Sequence, residues 1–123
     1  MRVTEFTILM VTDDPDQREL FTLVLTSRRL HVDAVGDAES ALQQLSVHAY
    51  DILLTDYELP MITGSELIHR VRHCWPSIRI VLMSNHTHIR ELAAQLDVDA
   101  YFSKMNAVEL PNILQAVMVR NIS

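Results

Sequence analysis

The sequence has a single cysteine, Cys74, and only two glycines, Gly36 and Gly64, in 123 residues. One cysteine cannot close an internal disulfide, and no cysteine-rich zinc site can be built from it. Two separated glycines cannot form the glycine-rich loop that cradles a pyrophosphate, which excludes dinucleotide binding. Lysine is equally scarce: Lys104 is the only one, and every other basic residue is arginine. Ten Lys and Arg stand against sixteen Asp and Glu, for a formal net charge of -6. That is the wrong sign for a phosphate-backbone binder, so direct nucleic-acid binding is disfavoured, and there is no polybasic tail. No segment has the charged, apolar and small-residue order of a signal peptide, and none is apolar for long enough to span a bilayer. These absences predict a soluble protein of a reducing cytoplasm with no membrane partner.

What the chain does contain is an average globular composition, 49% hydrophobic and 21% charged. Its length falls short of the roughly 150 residues typical of a domain, so residues 1–123 are expected to form a single one. Phe6 to Val11 is a continuous apolar run, the pattern of a strand buried on both faces, and Thr12-Asp13-Asp14-Pro15 is the turn after it. Leu20, Phe21, Val24 and Leu25 then share a helical face, with Pro15 suited to the first turn and Asp14 to the cap. The alternation recurs four more times. His31 to Val35 precedes a helix with Ala38, Ala41, Leu42 and Leu45 inward, and Asp51 to Thr55 precedes one with Leu67, Ile68, Val71 and Trp75 inward, ended by Pro76. Ile78 to Met83 leads to Ile89, Leu92, Ala93 and Leu96; the weaker strand Ala100 to Phe102 leads to Ile113, Leu114, Val117 and Met118. Five strand–helix units with short, right-handed connections predict a doubly wound α/β fold: a five-stranded parallel sheet with helices on both faces.

In such sheets ligands bind beyond the carboxyl ends of the strands, where the winding reverses. The residues there are Asp13 and Asp14 after the first strand, Asp56 after the third, Ser84 after the fourth and Lys104 after the fifth. With strand order 2-1-3-4-5, the acidic residues of strands one and three are neighbours. A pair of unit charges about 4 Å apart repels by roughly 4 kcal/mol at an effective dielectric of 20. A hard divalent cation such as Mg2+, which takes carboxylate, carbonyl and water oxygens, would relieve that, and Lys104 supplies a second cation suited to a phosphate. Taken singly, each residue has an ordinary role. Asp14 fits a helix cap, Asp56 and Ser84 fit turns, and Lys104 fits a solvated surface. Independent accidents would scatter them; here all fall at one end of adjacent strands.

In this order and spacing the chain resembles the receiver domain of two-component response regulators, with a flavodoxin-like three-layer architecture. The stretch Asp51 to Glu66, DILLTDYELPMITGSE, carries the most specific part: an apolar strand, an acceptor Asp, a Pro four residues on and a Gly eight residues on. The resemblance implies a phosphoacceptor module. Asp56 would accept a phosphoryl group from the phosphohistidine of a histidine kinase or phosphotransfer protein. Asp13, Asp14, Asp56 and the backbone carbonyl of Glu58 would hold Mg2+, with one of the acidic pair acting through water. Lys104 and the Ser84 hydroxyl would contact phosphoryl oxygens, and Ser84 and Tyr101 would form the switch. The chain departs from the family pattern in three places. Met105 follows the lysine where Pro is usual, which predicts a trans Lys104–Met105 bond, since a non-proline cis bond costs roughly 2.5–4 kcal/mol. Asn85 replaces the usual small residue after Ser84, and Asp97 stands where Gly is common. Glu58 and His86 fall beside the expected phosphoryl site, positions suited to setting the lifetime of a phosphorylated state.

The readout implied by the resemblance is an output domain or partner protein bound through the fourth helix, fifth strand and fifth helix, including His88, Arg90, Tyr101 and Glu109, with a homodimer as a further option. The length leaves no room for an output domain, so a standalone regulator and an excised receiver both remain open. Beyond its own phosphorylation and dephosphorylation no enzyme activity is expected. The strongest competing reading is a receiver-fold interaction module that is not phosphorylated, because Met105 and Asn85 are compatible with it. A haloacid-dehalogenase-like phosphatase, suggested by Asp14-Pro15-Asp16, needs a longer chain and leaves Asp56 unexplained. Zinc held by His69 and His73 or by His86 and His88 has no further ligand motif behind it, and Cys74 is expected to be a small buried or half-buried residue.

Overall fold

The structure, a computed structural model, describes residues 6–120; the ends of the expected 1–123 domain lie outside the described residues. Five strands and five helices alternate: β1 (Thr7–Val11), α1 (Pro15–Thr26), β2 (His31–Val35), α2 (Ala38–Val47), β3 (Ile52–Asp56), α3 (Gly64–Cys74), β4 (Arg79–Ser84), α4 (Ile89–Leu96), β5 (Ala100–Ser103) and α5 (Leu110–Arg120), the last preceded by a single 3-10 turn at Ala107–Glu109. All four strand pairings are parallel, as the alternation predicts, and the order is β2-β1-β3-β4-β5, the one that goes with the family resemblance.

Side chains alternate across each strand, so the sheet divides the apolar residues into two cores. Ile8, Met10, Ile52, Leu54, Val81 and Phe102 face α1 and α5, where Phe21 meets Phe102 edge-to-face at 5.8 Å. Leu9, Val11, Leu53, Ile80 and Leu82 face α2, α3 and α4. The helices begin where the sequence supplies caps. Asp14 accepts from the Asp16 and Gln17 amides with Pro15 at the first position, Asp37 accepts from the Ser40 amide, and Thr63 from that of Glu66.

At the amino ends of the strands two aspartates stitch neighbours together. Asp51 accepts from the Thr7 amide at 2.8 Å and the Thr7 hydroxyl at 3.2 Å, tying β3 to β1. Asp99 accepts from the Ile80 amide at 2.7 Å and from Arg72 at 3.3 Å, tying β5 to β4 and α3.

Several details differ from the pattern-based expectation. Strands β3 and β4 each begin and end one residue later than expected and β5 runs one residue further, because Asp56 pairs with Met83 and Ser84 with Ser103 in the ladder. Leu20 is not inward: it is 51% exposed, at the edge of an arc whose buried centre is Phe21 and Leu25. Cys74 is exposed, on the flank of an α3 stripe that runs through Leu67, Ile68 and Val71 to Trp75. Asp97 ends α4 in the left-handed region, φ 55 and ψ 49, which is the backbone reason a glycine suits that place. The described residues contain no cis peptide bond, so Lys104–Met105 is trans as expected.

Candidate functional site

Parallel registration of β1, β3, β4 and β5 brings the four chemistry-bearing strand ends together. Val11 lies beside Thr55, Asp56 beside Met83 and Ser84 beside Ser103, so the next residues of β1 and β5 emerge around Asp56. They line a cleft of about 500 Å³ whose walls include Asp13, Asp14, Asp56, Glu58, Ser84 and Lys104. Every residue the sequence placed at the phosphoacceptor and metal positions is therefore at this one opening. Tyr101 is elsewhere: it is exposed on β5, over a groove formed with Arg90, Ala93, Val98, Ile113 and Ala116 from α4, β5 and α5.

Asp56 closes the floor of the cleft and is only 4% exposed. Burial pushes its carboxyl above the usual range; the Lys104 ammonium and the Glu58 amide pull it back, and the Asp13 charge adds to the rise. Lys104, itself largely buried, makes a direct ion pair with Asp56 Oδ2. Its backbone amide reaches the Ser84 carbonyl at 3.4 Å, which anchors the loop after β5 to the end of β4. Ser84 Oγ accepts from the His86 amide at 2.9 Å, so the hydroxyl proton is free for another acceptor. His86 stands over the opening, its ring edge-to-face with Tyr57 at 6.4 Å and its Nδ1 accepting from the His88 amide at 3.0 Å.

Gly64 is required here by close approach. A Cβ at that position would lie 2.3 Å from the Asp56 carbonyl oxygen and 2.6 Å from that of Tyr57, both main-chain atoms. The first residue of α3 thus packs directly on the backbone that carries Asp56, and the Gly64 amide donates to Tyr57 O at 3.2 Å.

Two residues in the site escape a reading by motif. Thr12 is fully buried, with Oγ1 at 3.4 Å from Asp56 Oδ2 and 3.3 Å from Gln17 Oε1, and it accepts from the Asp14 amide at 3.4 Å. Gln17 lines the cleft from the first turn of α1. The signal for Thr12 was strand parity: Ile8, Met10 and the next alternate residue share a face, and a hydroxyl in third place ends up at the carboxyl edge. Asp14, by contrast, has Oδ1 engaged in capping α1, at 2.9 Å from Asp16 N and 3.3 Å from Gln17 N.

A hard cation suits this donor set: carboxylate, carbonyl and hydroxyl oxygens, with a buried carboxyl that a positive charge would relieve. Among the described residues, however, no three His, Cys, Asp or Glu side chains already gather as a cage. The two pairs of histidines form no zinc site there either.

The buried carboxylate and lysine lie beyond the carboxyl ends of the strands of a 2-1-3-4-5 doubly wound sheet, where such folds bind their ligands. Residues 8–117 match the family model described as the response regulator receiver domain, and the chain belongs to that family, the receiver of two-component signalling. It is 32% identical over 88 residues to the transcriptional activator protein ExaE of Pseudomonas putida, covering 72% of this chain and 41% of that protein. It is 30% identical over 80 residues to the luminescence regulatory protein LuxO of Vibrio campbellii, covering 65% of this chain and 18% of that one. The chain therefore spans less than half of these curated relatives. Among solved structures, the response regulator TrrA of Thermotoga maritima, in complex with Mg2+-BeF, superposes with a TM-score of 0.83 at 28% identity, covering 91% of this chain and 98% of that one. No helix among the described residues is long and apolar enough to cross a membrane.

Proposed function

We propose that this receiver takes a phosphoryl group on Asp56 from the phosphohistidine of a histidine kinase or phosphotransfer protein, in a Mg2+-dependent reaction, and that the modified form binds an output partner. The observation that carries this reading is the buried Asp56–Lys104 pair at the floor of an open cleft, a nucleophile with a cation beside it. An Asp56 carboxylate oxygen would attack phosphorus, the P–N bond would break, and the imidazole would leave. As charge moves onto the phosphoryl oxygens, Lys104 Nζ and the Ser84 hydroxyl stand ready to accept it by ion pairing and hydrogen bonding. Asp13, Asp56 and the Glu58 carbonyl would hold Mg2+, with Asp14 reaching it through water. The bound ion would neutralise phosphoryl charge during transfer.

The route outward would begin when Ser84 turns toward the new phosphoryl group. Ser84 and Ser103 are paired, and Tyr101 lies two residues back on β5, so movement at one end of this ladder is passed to the aromatic. The proposed partner surface is α4–β5–α5, with His88, Arg90, Tyr101 and Glu109, either for an output domain or for a second copy, and the proposed compartment is the cytoplasm. Glu58 and His86 are proposed to set the lifetime of the acyl phosphate by governing the approach of water. Intact mass after incubation with acetyl phosphate and Mg2+ tests the function. One added phosphoryl group per chain, lost in Asp56→Asn, is expected; an unmodified wild type would reduce the protein to a binding module on a receiver fold.

A further inference from the structure

The acidic pair Asp13-Asp14 suggests three carboxylates around the cleft, yet the side chain that stands against Asp56 from β1 belongs to Thr12. The register makes this unavoidable. Val11 pairs with Thr55 in a parallel ladder, so Thr12 and Asp56 are the next residues side by side on the face that already carries Met10 and Leu54. Asp14 is one peptide group past Asp13, and its Oδ1 is bound by two amides of α1.

The Thr12 hydroxyl has one proton and three polar neighbours. The Asp14 amide donates to its oxygen, leaving the proton for Asp56 Oδ2 or Gln17 Oε1 at nearly equal distances. The charged acceptor takes it, because a hydrogen bond to a carboxylate is roughly twice as strong as one to a neutral amide. The Gln17 amide group can then turn its NH2 toward the Thr12 oxygen. Asp56 Oδ2 is thereby held on two sides, by Lys104 and by Thr12.

We propose that Thr12 is a positioning residue of the receiver site: its buried hydroxyl fixes the Asp56 carboxylate beside Lys104, and its neutrality leaves Asp13 and Asp56 as the only carboxylates that would bind a cation directly, which limits the affinity for a divalent ion. This rests on the phosphoacceptor reading above, and it explains why the described acidic residues do not assemble a three-carboxylate cage. Removing the hydroxyl frees one side of Asp56 without changing the charge of the cleft. Replacing it by a carboxylate adds charge where the ion would bind.

The test uses the whole chain and three variants, Thr12→Val, Thr12→Ser and Thr12→Asp, each checked for folding by circular dichroism. Mg2+ affinity is read by isothermal titration calorimetry, and phosphorylation rate by intact mass with acetyl phosphate at saturating Mg2+. Thr12→Val should keep the wild-type Mg2+ affinity within about twofold and slow phosphorylation by about tenfold, the effect of one lost charge-assisted hydrogen bond. Thr12→Ser should restore the rate, which a loss of packing alone would not allow. Thr12→Asp should tighten Mg2+ binding by about tenfold or more. An unchanged rate in Thr12→Val, or an unchanged Mg2+ affinity in Thr12→Asp, overturns the inference. A wild type that accepts no phosphoryl group, while Mg2+ still binds more tightly to Thr12→Asp, overturns the phosphoacceptor reading and leaves the charge-setting role of Thr12 standing.

Discussion

The two ends of the sheet use the same residue type for opposite purposes. At the amino ends, Asp51 and Asp99 each accept a backbone amide from the neighbouring strand at 2.8 Å and 2.7 Å, so their charges are matched to donors that would otherwise be unsatisfied. At the carboxyl ends, Asp56 is nearly buried, sits near the Asp13 charge and has its carboxyl pushed up by burial despite Lys104 and the Glu58 amide. The first arrangement fastens strands; the second holds a carboxylate whose charge burial and Asp13 disfavour and which a cation can relieve. Burial beside a like charge, rather than a shortage of partners, sets Asp56 apart from the aspartates that fasten strands.

The largest effect that would sharpen this contrast is expected at Gly64. Gly64→Ala puts a methyl group against two carbonyl oxygens of the segment carrying Asp56, and should cost about 3 kcal/mol in urea unfolding while displacing the acceptor. Full stability in that variant would mean the carboxyl end is looser than its packing implies. Next comes the amino end. Asp51→Ala leaves the Thr7 amide without its partner and should cost about 2 kcal/mol by the same measurement, with phosphorylation by acetyl phosphate unaffected. Impaired phosphorylation at unchanged stability would break the division of labour.

Asp37 refines the comparison because it lies at the carboxyl end yet its carboxyl is lowered rather than raised. It caps α2, and the Ser40 amide and hydroxyl lower its pKa from 3.8. Asp37→Ala should therefore cost only about 1 kcal/mol near neutral pH. The two aspartates also respond to pH in opposite directions. A lowered carboxyl stabilises the fold above its unfolded value near 3.8, and that contribution is lost as pH falls through the folded value. Asp56 does the reverse: the folded chain holds its proton more tightly, so stability falls as pH rises from about 3.8 through the raised value. Without metal, the unfolding free energy of wild type relative to Asp56→Asn should decline across that window; an increase would contradict the account of Asp56.

Much of this was legible in the residues. The bounds of β2 and the parallel pairing of the strands follow from hydrophobic runs, turn residues and the handedness of crossovers, whereas their order came with the family resemblance. Asp13, Asp56, Ser84 and Lys104 were legible as residues just after, or ending, apolar runs, because a parallel sheet brings all such ends to one edge. Leu20 was not, because spacing finds an apolar arc but not how much of it a sheet can cover. Thr12 was hidden for a different reason. Its role comes from lateral pairing with a strand more than forty residues away, and a threonine before an acidic pair reads locally as part of a turn. Asp14 shows the converse: the motif drew attention to its charge, while its side chain is engaged in starting α1.

The central claim, that Asp56 is where the phosphoryl group resides, can be read directly. After treatment with acetyl phosphate and Mg2+, borohydride reduction converts an aspartyl phosphate to homoserine, and peptide mass mapping locates it. The account predicts homoserine at position 56 alone; its appearance at Asp13 or Asp14, or at no aspartate in a chain that has gained phosphoryl mass, would contradict it.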